Sequence, residues 1–299
     1  MNESQNHRLA LVTGGASGLG REFCLQLAAQ GWHVIVADVD QAGSQETLAE
    51  IERAGGRGQI EHLDVTDQTA WNNLMLRLRA EWPRLDLLIN NAGICSAGKI
   101  GESPLAAFRR VCEVNLFGVI NGCHAMVPWM RETAPGGAIV NIASVAALLN
   151  APAMAAYSAS KAGVVSFSET LFGELRNLGI SVTVVLPGFF ASQLLRRGDF
   201  CDELFRRIAQ DYTNVSTTSA AEVAKNTLRA VEKKQLHVPL GWRVRMVWLV
   251  KRLVPTLFQR MVAGKCASDE LSHSEPEHLQ SGQHIDPGAA KASVPPAET

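Results

Sequence analysis

The sequence lacks a charge imbalance, paired cysteines and any long apolar run. Its 28 Lys and Arg stand against 29 Asp and Glu, a formal net charge of -1. A protein that holds nucleic acid through overall charge is therefore excluded. The six cysteines, Cys24, Cys95, Cys112, Cys123, Cys201 and Cys266, form no C-x-x-C pair and no zinc-like spacing. They read as reduced thiols, as in a cytoplasmic protein, and the eight histidines show no metal spacing either, so no metal is expected. No apolar run reaches the ~18 residues of a membrane span, and the opening MNESQNHRLALVTGG is a short polar lead without the shape of a signal peptide. The expectation is a cytoplasmic protein, soluble or attached at a membrane surface.

What is present is alternation. Short β-rich runs (LALVT, HVIVAD, GQIEHLDV, LDLLIN, GAIVNIAS, ISVTVVLP, LHVP) alternate with helical patterns over Leu19–Gln30, Ala42–Ala54, Gln68–Trp82, Leu105–Met130, Met154–Leu178 and Ala220–Lys233. Most of the runs are apolar throughout, as in parallel strands covered on both faces. The pattern predicts an α/β fold, a doubly wound parallel sheet of about seven strands. It places a flexible lead at 1–7, one domain over 8–240, a basic amphipathic extension at 241–264 and a disordered tail at 265–299. Ligands of such sheets bind beyond the carboxyl ends of the strands, so the residues following each strand carry the interest.

The first strand runs into TGGASGLG and then a helix. Gly14 allows a sharp turn, Gly18 lets backbone amides approach a pyrophosphate, and Gly20 lets helix and strand pack closely, while the helix N-terminus favours negative phosphates. Asp38 ends the second strand about twenty residues later, where a carboxylate can accept from both hydroxyls of an adenosine ribose and repel a ribose phosphate. Neither Ala16 nor Val39 offers a cation there, so NAD is favoured over NADP. Asp64 and Val65 are read as the end of the third strand and Asn90–Gly93 (NNAG) as the end of the fourth; each alone is equally good turn chemistry.

Ser144 closes the fifth long strand, and Tyr157 and Lys161 lie one turn apart at the head of the next helix. A hydroxyl, a phenol and an ammonium can thus converge above the cleft. Taking hydride from an alcohol carbon requires its hydroxyl proton to leave too, so a base is needed. A lysine ammonium and a positive nicotinamide ring would favour the phenolate, and Ser144 would hold the substrate oxygen.

With TGGASGLG, Asp64, NNAG, Asn115 in EVNLFG, Ser144, YSASK and Pro187–Gly188 in order, the chain from Arg8 to about Val238 resembles the compact single-domain branch of the short-chain dehydrogenase/reductase family. The resemblance implies a Rossmann-type fold and a catalytic set of Asn115, Ser144, Tyr157 and Lys161. Tyr157 would be the acid or base, Lys161 its modulator and a ribose ligand, and Asn115 the holder of a relay water. It implies cofactor contacts at Thr13, Gly14, Ser17, Gly18, Leu19, Gly20, Asp38, Asp64, Val65, Asn91, Ala92, Gly93, Tyr157, Lys161, Pro187 and Gly188. It also implies a homodimer or homotetramer built through the helices carrying Asn115 and Tyr157, and a substrate lid over 189–218.

Two other functions stay open at this point: a catalytically silent NAD-responsive binding protein, and lyase or epimerase chemistry on the same fold. The apolar side of the lid, with Phe189, Phe190 and Leu194, reads either as an amphipathic helix packed on the core or as cover for a lipophilic alcohol or carbonyl substrate, steroid-like, retinoid-like or long-chain. From Lys233 to Ser268 there are eight Lys or Arg and no Asp or Glu, with Trp242, Trp248 and Phe258 interleaved. Pro255 should split this stretch into two short helices. Contact of 242–262 with a membrane surface, cover over the pocket and a subunit contact are the readings it allows.

Overall fold

The structure, a computed structural model, describes residues 8–133, 135–188, 199–200 and 218–274. Its centre is a seven-stranded sheet, and every pairing within it is parallel. The strands are β1 (Leu9–Thr13), β2 (His33–Asp38), β3 (Arg57–His62), β4 (Leu87–Asn90), β6 (Ala138–Ile142), β7 (Ser181–Leu186) and β9 (His237–Pro239), in spatial order β3-β2-β1-β4-β6-β7-β9. A separate two-stranded ribbon pairs β5 (Ser96–Ala97) with β8 (Asp199–Phe200). The chain moves outward from β1 to β3 and then returns to place β4 on the other side of β1. That reversal opens a crevice at the carboxyl ends of β1 and β4, the usual ligand position in this architecture.

The central strands are apolar along their whole length because helices cover both faces: all of β1, β4 and β6 is buried. On one face lie α1 (Gly18–Ala29) and α8 (Ala220–Glu232), with Phe23, Leu27, Val223 and Leu228 against Val12, Val36 and Val185. On the other lie α3 (Gln68–Glu81), α5 (Gly118–Glu132) and α7 (Ala155–Leu175), with Trp71, Trp129 and Leu171 among the residues packed against Leu11, Leu88 and Ile139. The remaining α-helices among the described residues are α2 (Gln41–Arg53), α4 (Leu105–Cys112), the short α6 (Ala146–Leu149), α9 (Trp242–Leu253) and α10 (Pro255–Ser274). Among the described residues no helix is long and apolar enough to cross a membrane.

Three boundaries differ from the sequence expectation. Strand β3 stops at His62, so Asp64 and Val65 lie in the turn beyond it; the Asp64 carboxylate accepts from the Thr66 amide at 2.9 Å and hydroxyl at 2.8 Å, which bends the chain away from the sheet. The helix expected over Leu105–Met130 is interrupted by a π turn, Glu113–Phe117, between α4 and α5. Pro255 does divide the extension, standing as the first residue of α10, but that helix continues to Ser274, past the boundary placed from composition. The lid at 189–218 lies outside the described residues except for Asp199, Phe200 and Thr218, as do the lead at 1–7 and the tail from 275.

Helix α5 approaches the sheet closely at Gly122. A Cβ there would lie 2.5 Å from Asn90 Oδ1 and 3.0 Å from the Trp71 ring, both buried. Gly122→Ala is expected to cost about 1–3 kcal/mol of stability through overpacking, read as a lower urea midpoint with an unchanged slope.

Candidate active site

The crevice begins with the turn from β1 into α1. Gly14 and Gly18 take φ of +69° and +53°, the left-handed region that glycine enters without strain. At Gly20 a Cβ would fall inside the Gly14 carbonyl and against the Asn91 side chain, so the helix start can nest there only without one. Ser17, the N-cap of α1, makes no side-chain capping bond, which leaves the first amides of the helix for an outside acceptor. Behind the turn, the Thr13 hydroxyl accepts from the amides of Asn91 and Ala92, both at 3.0 Å, and Asn91 Nδ2 donates to the Thr13 carbonyl at 2.9 Å. These bonds lock the end of β4 to the end of β1.

Asp38 stands at the edge of this cradle. Its carboxylate accepts from the amides of Ala16 at 3.1 Å and Asp40 at 3.0 Å, which orients it across the glycine turn. Arg21 was not singled out from sequence, yet it reaches the same turn. Its guanidinium donates to the Ala16 carbonyl at 2.8 Å and to Thr47 Oγ1 at 3.0 Å, and pairs with Glu46 at 2.8 Å and Glu50 at 3.4 Å. Its positive charge is thus met by two carboxylates one helical turn apart on α2. A dinucleotide fits this arrangement: backbone amides and a helix start for the phosphates, a carboxylate for a ribose.

The second half of the site is built on the first turns of α7. Tyr157 and Lys161 are 8% and 3% exposed, and the Lys161 ammonium lies 5.9 Å from the Tyr157 ring centroid. The ammonium donates to the Ile142 carbonyl, at the end of β6, at 2.8 Å. Ser144, two residues further on, stands close enough to the Tyr157 phenol to favour its ionised form, and its Oγ accepts from the Ala146 amide at 3.1 Å. The Pro187 carbonyl accepts from the Val145 amide at 2.9 Å, which brings Pro187 and Gly188 alongside Ser144. The structure therefore gathers Ser144, Tyr157 and Lys161 at the carboxyl edge, flanked by Pro187–Gly188.

Asn115 sits in the π turn, fully buried. Its side chain clasps the backbone after NNAG: Oδ1 accepts from the Ile94 amide at 2.8 Å, and Nδ2 donates to the Ile94 carbonyl at 2.9 Å and to Ser160 Oγ at 3.2 Å. Ser160 in turn donates to the Tyr157 carbonyl at 2.8 Å. One amide so ties the end of β4 to the helix bearing the phenol and the ammonium. A Cβ on Gly93 would lie 3.1 Å from Asn115 Oδ1 and 3.5 Å from Lys161 Nζ, so glycine keeps open the gap between them. Asp64 and Val65 stand further out; the Asp64 carboxylate is engaged by Thr66, and the Val65 side chain packs under Gly118.

Burial sets the protonation of this group. The Tyr157 phenol is pushed well above its ordinary value by desolvation, with Cys95 acting in the same direction and the Ser144 hydroxyl opposing it. Lys161 is pulled down to about 8, again by desolvation, partly offset by Cys95. The neighbouring ammonium therefore does not by itself hold the phenol ionised. Cys95 is buried and its thiol is raised to about 12 by burial, the property of a packing cysteine.

The depressed lysine has a thermodynamic signature. Between pH ~8 and the unfolded-lysine value of ~10.4, the unfolded chain binds one more proton at Lys161 than the folded chain, so stability rises with pH across that window. Relative to Lys161→Met, the wild type should gain about 3 kcal/mol from pH 8 to 10.4 and nothing below it. Parallel denaturant titrations of the two proteins check this; a constant difference would show an ammonium at its ordinary value.

Comparison with known proteins matches what the geometry suggests. The sequence profile of the short chain dehydrogenase family fits residues 8–199. A protein named probable oxidoreductase EphD from Mycobacterium tuberculosis is 38% identical over 264 residues, which cover 83% of this chain. The match covers 43% of EphD, so the chain spans less than half of that relative's length. Cyclopentanol dehydrogenase of Comamonas testosteroni is 36% identical over 192 residues, 64% of this chain and 76% of that protein. Among solved structures, a short chain dehydrogenase/reductase from Burkholderia phymatum in complex with NAD superposes with a TM-score of 0.78 at 27% identity, over 85% of this chain and 96% of that one. The seven-stranded sheet, the motifs at its carboxyl edge and a profile match over most of the chain lead to one assignment: this protein belongs to the short-chain dehydrogenase/reductase family.

Proposed function

We propose that the chain oxidises a lipophilic alcohol to a ketone or aldehyde with NAD, by proton transfer through Tyr157. The observation that carries this reading is the convergence of Ser144, Tyr157 and Lys161 beside a dinucleotide cradle whose ribose end presents Asp38. Bound NAD supplies the hydride acceptor and a positive ring. Ser144 holds the substrate hydroxyl, and Tyr157, as phenolate, takes its proton. Lys161, fixed by the Ile142 carbonyl, binds the nicotinamide ribose and stabilises the phenolate. Asn115 holds the relay water that links Lys161 to solvent, next to the gap left by Gly93.

Preference for NAD rests on charge. Asp38 would oppose a ribose phosphate, and the nearby Arg21 is already neutralised by Glu46 and Glu50. The NAD complex of the Burkholderia phymatum structure supports the same choice. Support for an apolar substrate comes from the lid sequence and from the relative named for cyclopentanol, an alicyclic alcohol. Assembly as a dimer or tetramer belongs to the same reading: Leu105 on α4 and Phe117 in the π turn are exposed apolar side chains on the helices where the family makes its subunit contacts.

NADH formation against alcohols graded from short and polar to alicyclic and steroidal tests the proposal. Turnover should rise with lipophilicity and fall about 100-fold or more in Tyr157→Phe, with NAD binding retained. Asp38→Asn should raise the KM for NAD about tenfold or more, through loss of charge-assisted hydrogen bonds to the ribose, and narrow the preference over NADP. Equal turnover of wild type and Tyr157→Phe would remove the phenol from the chemistry; faster turnover with NADP would overturn the reading of Asp38.

A further inference from the structure

The two C-terminal helices show their apolar residues to solvent. On α9, Trp242, Met246, Leu249 and Leu253 stand at i, i+4, i+7 and i+11, a single helical stripe, and all are exposed, Trp242 at 72% and Leu253 at 79%. Past the Pro255 junction the series continues with exposed Leu257 and Met261 on α10. The docking residues are Val244, on the face of α9 opposite its stripe, and Phe258, which flanks the exposed residues of α10; both are buried. Val244 meets the backbone at Gly188, where a Cβ would lie 3.0 Å from it. Gln259 donates to the Asn150 carbonyl at 3.0 Å, just past α6, and Arg252 covers the Trp248 ring at 4.0 Å and approaches Glu169 of α7 at 3.8 Å. The exposed stripes are therefore held beside the strand ends that carry Ser144 and Gly188.

Charge selects the occupant of this surface. Exposed Arg243, Arg245, Arg252 and Arg260 accompany the stripes, and no carboxylate occurs between Lys233 and Ser268. A second copy of the chain placed symmetrically on this face would set these cations against their own images, which like-charge repulsion opposes. An anionic lipid surface complements both features at once, taking the stripes into its interface and the arginines among its headgroups. We propose that α9 and α10 form an interfacial anchor that seats the substrate side of the domain on an anionic bilayer. That the lipid phase then delivers the alcohol rests on the function proposed above; binding to the bilayer does not.

The test is co-sedimentation of the full chain with phosphatidylcholine vesicles with and without phosphatidylglycerol, read without any turnover. The chain should pellet with the anionic vesicles, and binding should weaken as salt is raised. The double variant Leu253→Asp, Leu257→Asp should lower the partition coefficient by more than about tenfold. Both leucines are exposed, so the fold and the oxidation of a water-soluble alcohol should be retained. Quenching by brominated lipid should be reduced in Trp242→Phe. Failure of the wild type to pellet, or equal pelleting of the double variant, overturns the proposal. So does a change in oligomer size in the double variant without lipid binding by the wild type, which would make the face a subunit contact.

Discussion

The site depends on one buried hydrogen bond, from the Lys161 ammonium to the Ile142 carbonyl. It fixes the first turns of α7 against the end of β6, and so sets where Tyr157 stands relative to Ser144, two residues beyond that carbonyl. Burial makes the bond matter: an ammonium out of water needs its partner, and the same desolvation raises the phenol and lowers the lysine. A neutral phenol next to an ammonium is the resting state that follows. Its conversion to a base needs further positive charge, which the reading above assigns to the cofactor, so binding and proton transfer become linked.

The supporting layers repeat the same device of backbone held by polar side chains. Thr13 and Asn91 lock β4 to β1 at the crevice, Asn115 and Ser160 lock the following loop to α7, and Arg21 locks the glycine turn to α2. Each group lies at the carboxyl edge, where the strands end and their hydrogen-bonding ladders no longer hold the chain. Positioning there falls to side chains because secondary structure has run out.

Much of this could be read from residues alone. The strands around β1 are apolar along their length, so their type and direction are plain, and the glycine turn, Asp38, NNAG and the Tyr157–Lys161 pair follow each strand at the expected places. What stayed hidden depends on partners distant in sequence. The π turn is stabilised around the clasp of Asn115 on Ile94, 21 residues away, and local propensity carries no trace of it. The role of Arg21 depends on carboxylates 25 and 29 residues on. The balance at Tyr157 depends on desolvation, which sequence spacing does not express; the expected help from Lys161 is outweighed by burial. The end of β3 was placed too late because the apolar run through Leu63 and Val65 continues beyond the ladder.

The most direct measurement is the ionisation of Tyr157 itself. The chain has two tyrosines, so in a Tyr212→Phe background the near-ultraviolet phenolate absorbance reports Tyr157 alone. In the free protein the phenol should remain protonated past its ordinary value of ~10, and saturating NAD should bring its ionisation down into the neutral-to-alkaline range. A phenol that titrates at its ordinary value, unchanged by NAD, would contradict the coupling of cofactor charge to proton transfer on which the proposed mechanism stands.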